Sequence, residues 1–386
     1  MESNFYQGCI EFGETRFCSK LGGQTCTLSS LKFSDDKLCS RFDECCKVWK
    51  CDMPTSPLIS VIVSAHKKRK HYLKEAVDSV LAQSLNRSSF EIIVVLDYED
   101  SAMIDALNRD GVKTVVVLND SLTLKLIEAS KVCNGEIICF LEDDDKFERN
   151  KLEWVHFLFN SDTSLAFYHN SYYTIDASGV VIQTKLRRAP DMTFRINKLI
   201  SFSQIRKCLK SELGFNLSSI SIRKKIFVEN LSTIALLRAH IDTALFIISL
   251  CSEGAIYADD RRLTQYRVHP SASNFVVENR EYFRMRYGYY DVGFNDFLAL
   301  EKVFPTGKQL DIINIYKLDW NIHLCLFSEI AQRSAMLVTA MRYTAYALLL
   351  RYGYPLFLSL VAIIYVMSPT IARMLFYYTI SSNSTV

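Results

Sequence analysis

The stretch that decides the fold is residues 137–147, IICFLEDDDKF, in which an apolar run leads directly into four consecutive acids. A short apolar run of this kind is typical of a strand buried in a parallel sheet. Like charges 4 Å apart repel by about 4 kcal/mol at an effective dielectric near 20, so packing does not explain the acids. Carboxylate oxygens are ligands that Mg²⁺ and Mn²⁺ prefer. The stretch therefore predicts a divalent-metal site, the alternative being a solvated acidic loop.

Similar strands precede this stretch at regular intervals. Residues 58–64, 92–96 and 115–118 are short β-branched apolar runs, and residues 73–81 have apolar side chains at the spacing of a helix with one buried face. Strands that alternate with helices predict an α/β fold with a mostly parallel sheet flanked by helices. Ligands of such sheets bind at the carboxyl ends of the strands, which is where the acids lie.

Residues 57–150 contain four motifs in order: PLISVIVSAH at 57–66, the pattern Ser79-x-x-x-Gln83, FEIIVVLD at 90–97 and CNGEIICFLEDDDKF at 133–147. In order and spacing they resemble the nucleotide-binding half of a family 2 glycosyltransferase with the GT-A fold, a Rossmann-like fold.

The resemblance continues to residue 275. Ala239-His240-Ile241-Asp242 stands at the position of the family's Glu-Asp pair, and Tyr266-Arg267-Val268-His269 resembles its Tyr-Arg-x-His element.

The resemblance implies a role for each matching residue. Asp242 corresponds to the catalytic base of an inverting transfer, which takes the proton of the attacking hydroxyl. The alternatives are structural: helix capping for Asp242, a solvated side chain for Lys125 and a structural contact for His269. The implied metal ligands are Glu142, Asp144, Asp145 and His269. The implied donor-binding residues are Ala65, His66, Asp97, Lys125, Asp143 and Arg267. Candidates for the acceptor groove are Asn170, Tyr172, Ser218 and Ser219.

Residues 1–52 form a cysteine-rich extension without the apolar run of a signal peptide. The cysteine spacing is irregular, unlike the close pairs typical of zinc sites. A small metal or disulfide module and a loosely folded segment with dispensable thiols are both open. Met53 is a possible alternative start of the chain.

The C-terminal part of the chain is apolar. Residues 276–350 have a mostly helical pattern, and residues 352–372 carry no charge. About 20 apolar residues are enough to cross a bilayer as a helix, so we expect a transmembrane helix at 351–373 and a tail at 374–386. The arginines before it predict a cytoplasmic catalytic domain. The alternatives are a buried helix of a soluble domain and a segment lying in the membrane interface.

These observations predict a membrane-associated glycosyltransferase with a GT-A domain at 53–275, divided into a donor and metal half (57–150) and an acceptor half (151–275). We expect Mg²⁺ or Mn²⁺, a UDP- or GDP-sugar donor and a lipid-linked glycan acceptor. The net charge of +3 and the short basic cluster at 67–70 give no sign of a nucleic-acid partner. The alternatives are a polyprenyl-phosphate sugar synthase, a nucleotidyltransferase and an inactive membrane scaffold.

Overall fold

The structure is a computed structural model that describes residues 9–12, 15–18, 25–27, 58–182, 192–199, 201–268, 280–328, 330, 332–351 and 353–384. In the cysteine-rich extension, three short strands form an antiparallel sheet: β1 (Cys9–Phe12), β2 (Thr15–Cys18) and β3 (Thr25–Thr27). The other four cysteines of the extension lie outside the described residues.

Among the described residues, the main sheet has nine strands, and its first four along the chain are parallel. They run in the order β7-β4-β5-β6 across the sheet. Helices cover both faces, which explains why β4 is buried along its whole length. The elements are β4 (Ile59–Ala65), α1 (Lys70–Leu81), β5 (Phe90–Leu96), α2 (Ser101–Arg109), β6 (Lys113–Val116), α3 (Leu122–Val132) and β7 (Ile137–Glu142).

The second half extends the same sheet on the other side of β7. The order continues as β10-β12-β9-β11-β7, with β11 antiparallel to both neighbours and β12 parallel to β9. The short β8 pairs with the end of β12. The elements are β8 (Lys146–Phe147), α4 (Lys151–Ser161), β9 (Leu165–Ile175), β10 (Phe194–Ile196), α5 (Phe202–Lys210), β11 (Ile220–Arg223), α6 (Lys224–Glu229), α7 (Leu231–Ile234), α8 (Ile241–Cys251) and β12 (Ala255–Arg267).

The α/β class is confirmed, but the sheet is mixed rather than mostly parallel. β12 is one long strand with irregular register against β9, where the sequence predicts two separate strands at 255–258 and 263–268. At the predicted strand 180–184, the described residues form only an isolated bridge between Val181 and Ile175.

Five helices end the described chain. α10 is the most buried of them and packs against its neighbours on several sides. They are α9 (Arg280–Val303), α10 (Lys308–Phe327), α11 (Arg333–Leu350), α12 (Gly353–Met367) and α13 (Pro369–Ser384).

In the range of the predicted transmembrane helix, 351–373, the described residues are divided between α12 and α13. Arg351 takes a left-handed conformation that ends α11, and Pro369 begins a new helix after Met367. α12 has 15 residues, which at 1.5 Å each give about 22 Å of a hydrocarbon core about 30 Å thick. Among the described residues, no helix combines the length and the apolar character that a membrane crossing requires.

Candidate active site

The acidic turn, residues 142–145, lies at the carboxyl end of β7. The N–H of Asp145 donates to the carbonyl of Glu142 at 3.1 Å, which closes the turn. β4 runs parallel beside β7, and β5 beside β4, so the residues that follow these strands reach the same edge of the sheet. Three of the four acids are almost inaccessible to solvent, since Asp143, Asp144 and Asp145 are 0%, 7% and 1% exposed.

The carboxyl groups of the acidic turn resist ionisation. Burial, followed by the charge of Asp144, raises the pKa of Glu142 to about 7. Burial raises the pKa of Asp143 to about 6, although Arg69 acts in the opposite direction. The pKa of Asp145 is also raised by burial and by its acidic neighbours. A positive charge close to these groups therefore lowers the electrostatic cost of the cluster.

Arg69 supplies a positive charge to the acidic turn. Its Nη2 lies 2.9 Å from Oδ1 of Asp143, and its Nη1 donates to Oδ2 of Asp144 at 2.8 Å. The sequence analysis did not assign a role to Arg69, which it counted as part of a short basic cluster. Its position could have indicated a role, because Arg69 follows β4 by four residues and therefore lies at the end of the sheet where the acids also lie.

The predicted metal ligands do not form a ready-made site. Oδ1 of Asp145 accepts a hydrogen bond from the N–H of Arg267 at 2.8 Å. His269 lies outside the described residues. Within the ranges that the structure describes, no three His, Cys, Asp or Glu side chains are grouped to hold a metal ion. Glu142 and Asp144 nevertheless have the oxygen donors that a hard divalent cation prefers, so their chemistry fits such an ion.

Four of the predicted donor-binding residues meet beside the acidic turn. Lys125 Nζ donates to the carbonyl of Ala65 at 2.8 Å and lies 3.5 Å from Oδ2 of Asp97. Oδ1 of Asp97 accepts the N–H of Lys67 at 2.7 Å. Lys125 is 3% exposed, so the alternative of a solvated lysine is wrong. The fourth residue, His66, lies with its Nδ1 3.7 Å from Oδ2 of Asp97.

His66 also connects this group to the acidic turn, because its N–H donates to Oδ2 of Asp143 at 2.6 Å. Burial lowers the pKa of its imidazole, and the charge of Asp97 only partly opposes this effect. Burial therefore favours the neutral form of the ring.

Arg267 has a different position from the one expected for a donor-binding residue. It is 2% exposed, and its Nε donates to the carbonyl of Asp144 at 2.7 Å. Its Nη2 donates to Oε2 of Glu75 at 2.8 Å, and its guanidinium lies 4.3 Å from the ring centroid of Tyr72. These contacts hold the backbone of the acidic turn from inside the protein, so the structure supports a positioning role for Arg267.

The Ser79-x-x-x-Gln83 pattern also has a positioning role. Oγ of Ser79 accepts the N–H of Phe147 at 3.0 Å, and Oε1 of Gln83 accepts the N–H of Leu152 at 2.9 Å. Nε2 of Gln83 donates to the carbonyl of Glu148 at 2.8 Å. Ser79 on α1 and Gln83 just after it therefore fix the chain where it leaves the acidic turn.

Asp242 lies in the first turn of α8 and is connected to the acidic turn through residues 212–219. Oγ1 of Thr243 donates to the carbonyl of Gly214 at 2.7 Å. Farther along this segment, Oγ of Ser218 accepts the N–H of Glu142 at 3.0 Å. The charge of Asp242 contributes to the raised pKa of Glu142, after burial and Asp144. The two predicted functional carboxylates are therefore electrostatic neighbours.

Asp296 on α9 fixes the chain that leads into α8. Its carboxylate accepts the backbone N–H groups of Arg238, Ala239 and His240 at 3.0, 2.8 and 2.9 Å. Asp296 is 2% exposed, so its carboxylate depends on these backbone N–H groups rather than on water for its hydrogen bonds. Asp296 was not predicted from the sequence, because a single aspartate on a predicted helix gives no sign of contact with a loop almost 60 positions earlier.

The four residues predicted for the acceptor groove are all buried. Asn170 and Ser219 are fully buried, and Nδ2 of Asn170 donates to Oγ1 of Thr264 at 2.9 Å. Tyr172 donates from its hydroxyl to Oε2 of Glu212 at 2.9 Å. Glu212 has a left-handed backbone conformation, with φ at 48°, which is uncommon for a residue with a side chain and is often found at functional sites.

Comparison with known families agrees with this arrangement. Glycosyl transferase family 2 matches residues 60–231, which include the parallel strands, the acidic turn and Ser218. The predicted resemblance to family 2 glycosyltransferases is confirmed over these residues, which make up less than half of the chain, and so is the predicted class, a glycosyltransferase.

Solved structures share this fold. S. aureus TarS 1–349 in complex with UDP is 13% identical with a TM-score of 0.52, and the match covers 82% of this chain and 89% of that chain. The same fragment without the nucleotide is 14% identical with a TM-score of 0.51 and the same coverage. Another S. aureus TarS structure is 14% identical with a TM-score of 0.45; the match covers 72% of this chain and only 44% of that one. A comparison with curated proteins finds no match.

Proposed function

We propose that this protein is an inverting, divalent-metal-dependent glycosyltransferase that moves a sugar from a nucleotide-sugar to a hydroxyl of a lipid-linked glycan. The observation that carries the proposal is that Asp242 and the acidic turn are connected through residues 212–219 at one edge of the sheet. Such an arrangement combines a group that can take a proton with a group that can bind a charged donor.

The residues beside the acidic turn support donor binding. The Asp97 carboxylate is held by the N–H of Lys67 and by the ammonium of Lys125, which orients its oxygens toward the end of the strands. An oriented carboxylate can accept hydrogen bonds from the N–H groups of a nucleobase. UDP is the first nucleotide to test, because the TarS fragment that shares the fold binds it, and GDP is the second.

Glu142 and Asp144 are the carboxylates that would hold Mg²⁺ or Mn²⁺. When bound, the cation supplies positive charge to the diphosphate as it leaves. Arg69 pairs with Oδ2 of Asp144, so a cation held on that oxygen would compete with the guanidinium. A guanidinium at this position could bind phosphate oxygens with two parallel hydrogen bonds.

Asp242 is the proposed base. Its carboxylate takes the proton of the acceptor hydroxyl while that oxygen attacks the anomeric carbon; a new glycosidic C–O bond forms, and the bond to the nucleoside diphosphate breaks. General-base catalysis of this kind contributes about 10²–10⁴-fold to the rate. The N–H of Thr243 donates to Oδ1 of Asp242 at 2.7 Å and orients the carboxylate.

The charges near Asp242 support an uncharged hydroxyl as the acceptor group. Glu142 interacts with Asp242, and both Asp242 and Glu212 act on the pKa of Tyr316, which burial raises far above its ordinary value. A phosphate acceptor would approach these acids against electrostatic repulsion. A hydroxyl of a glycan has no such cost, which favours it over polyprenyl phosphate. The cytoplasmic location stays a prediction.

The test is the rate of nucleoside diphosphate release from a panel of UDP- and GDP-sugars, with soluble glycans and with polyprenyl phosphate as acceptors. In Asp242→Asn we expect kcat with a glycan to fall at least about a hundredfold, because the amide cannot take the proton. Glu253→Gln, which removes an exposed acid just after α8, is the matched control. Turnover with polyprenyl phosphate that Asp242→Asn leaves intact would instead identify a polyprenyl-phosphate sugar synthase.

A further inference from the structure

One face of α12 is apolar and exposed. Leu356, Leu360, Ile363 and Met367 follow one another at i, i+4, i+7 and i+11, and between 41% and 75% of each residue is accessible. This spacing puts all four side chains on the same side of the helix. Exposed apolar side chains are normal one at a time, but a row of them marks an interaction surface.

The neighbouring helices extend this surface. α11 exposes two adjacent rows of apolar side chains on one helical face. Residues 337, 341 and 348 form one row, and residues 338 and 349 form the other. α13 continues the row of α12 beyond Met367. We call the whole set the outer face: Leu337, Val338, Met341, Leu348, Leu349, Leu356, Leu360, Ile363, Met367, Ile371, Met374 and Leu375.

The opposite sides of the three helices are held against α10. The hydroxyl of Tyr343 on α11 donates to Oδ2 of Asp319 at 2.8 Å, and the hydroxyl of Tyr365 on α12 donates to the carbonyl of Cys325 at 3.0 Å. Arg373 on α13 donates from its Nε to a carbonyl at the C-terminal end of α10 at 2.9 Å. Because all three inner sides contact α10, most of the outer face points away from α10; Val338, at its margin, lines a cavity with residues of α9 and α10.

The charged residues of α11, α12 and α13 are all positive. The sequence has no Asp or Glu after Glu329, and Arg333, Arg342 and Arg351 are exposed on or beside α11. A second copy of the chain on this face would bring arginines together without carboxylates to balance them. Anionic lipid headgroups provide the complementary charge, and acyl chains accept the apolar side chains.

We propose that the outer face binds the surface of a bilayer that contains anionic lipid. α11, α12 and α13 lie along the membrane with their apolar side chains below the headgroups and their arginines among them. This interaction is separate from the transfer reaction and holds whichever donor or acceptor the enzyme uses.

Vesicle flotation of the full-length protein tests this proposal, with phosphatidylcholine vesicles and with vesicles that also contain phosphatidylglycerol. The first variant replaces Leu360, Ile363 and Met367 with serine. The matched control replaces Leu118, Val180 and Val181 with serine; these residues are similarly exposed but lie on the GT-A domain. The second variant is Arg342→Gln with Arg351→Gln. Circular dichroism and thermal unfolding show whether each variant folds.

The wild type and the control should float with the anionic vesicles, and the apolar triple variant should partition at least tenfold more weakly. The double arginine variant should lose most of the preference for anionic over neutral vesicles. Wild-type protein that does not float, or a triple variant that floats equally well, would overturn the proposal. A change from dimer to monomer in the triple variant, by sedimentation and without vesicle binding of the wild type, would assign the face to a second copy and equally overturn it.

Discussion

The donor side and the acceptor side of the site are built in different ways. On the donor side, His66, Asp97 and Glu142 each stand at or directly after the end of a parallel strand. On the acceptor side, Asp242 is positioned by contacts that join distant segments, through Thr243 to Gly214 and through the loop before α8 to Asp296.

This difference has an electrostatic counterpart. The donor side crowds buried acids together and balances them with Arg69, whereas the acceptor side presents Asp242 on a backbone fixed by neutral hydrogen bonds and by Asp296. The donor side is therefore expected to respond to charge, cations and pH, and the acceptor side to changes in backbone position. Three predictions test this contrast.

The largest effect is expected on the donor side, from Arg69→Gln. This change leaves Asp143, which is fully buried, without its cationic partner. Loss of one partner of a buried ion pair costs about 3–5 kcal/mol, and the partial exposure of Arg69 reduces this to about 2–3 kcal/mol of unfolding free energy. Urea unfolding measures the loss.

Mn²⁺ should restore stability in Arg69→Gln more than it stabilises the wild type, because the cation replaces the missing charge. Lys68→Gln, at the neighbouring position, is the control and should behave as the wild type. Equal stability of Arg69→Gln and the wild type would show that the ion pair does not balance the acidic turn.

A smaller effect is expected from pH. The pKa of Glu142 is about 7 in the folded protein, above its ordinary value of 4.5. Since the folded state then binds the proton more tightly than the unfolded chain, the free energy of unfolding should fall as pH rises from about 4.5 to about 7, by on the order of 2 kcal/mol. Urea unfolding in EDTA at several pH values measures the slope. Glu142→Gln should remove much of it, and stability that rises over this range in the wild type would contradict the account.

The smallest effect is expected on the acceptor side, from Asp296→Asn. The amide accepts hydrogen bonds from the N–H groups of residues 238–240 more weakly than the carboxylate does, so α8 begins in a less fixed position. We expect about a tenfold loss of kcat, equivalent to about 1.4 kcal/mol, with an unchanged Kd for the nucleotide. Asp291→Asn, one and a half turns earlier on α9, should leave both values unchanged. A weaker nucleotide affinity in Asp296→Asn would show that the donor side and the acceptor side are not independent of each other.

Local sequence was enough to predict most of the donor side. A strand and the polar residue that ends it are neighbours in the chain, so β4, β5 and β7 could be predicted together with Ala65, Asp97 and Glu142. Arg69 was missed because a one-turn helix at Lys67–Arg69 directs it back to the acids, and a basic cluster does not reveal that turn. The same limit applies to Arg267, which the structure buries against the acidic turn.

The acceptor side and the C-terminal helices depend on contacts that no local pattern contains. Asp242 could be identified only through the family resemblance, and its partner Asp296 not at all. The apolar run at 352–372 predicted a membrane crossing because hydropathy does not reveal the break between helices before Pro369. Hydropathy also does not reveal that one side of α12 packs against α10, where Tyr365 forms a hydrogen bond. Leu358, Val361, Ala362 and Tyr365 of that run are buried within the protein, which accounts for their apolar character.

The most direct test of the central claim is calorimetric titration of the wild type, Asp144→Asn and Asp242→Asn with UDP and with GDP, each with and without Mn²⁺. We expect Mn²⁺-dependent binding of one nucleotide by the wild type, the same affinity in Asp242→Asn, and at least a tenfold weaker affinity in Asp144→Asn. Binding that Asp144→Asn retains in full, or a folded wild type that binds neither nucleotide, would contradict the assignment of the acidic turn to the donor.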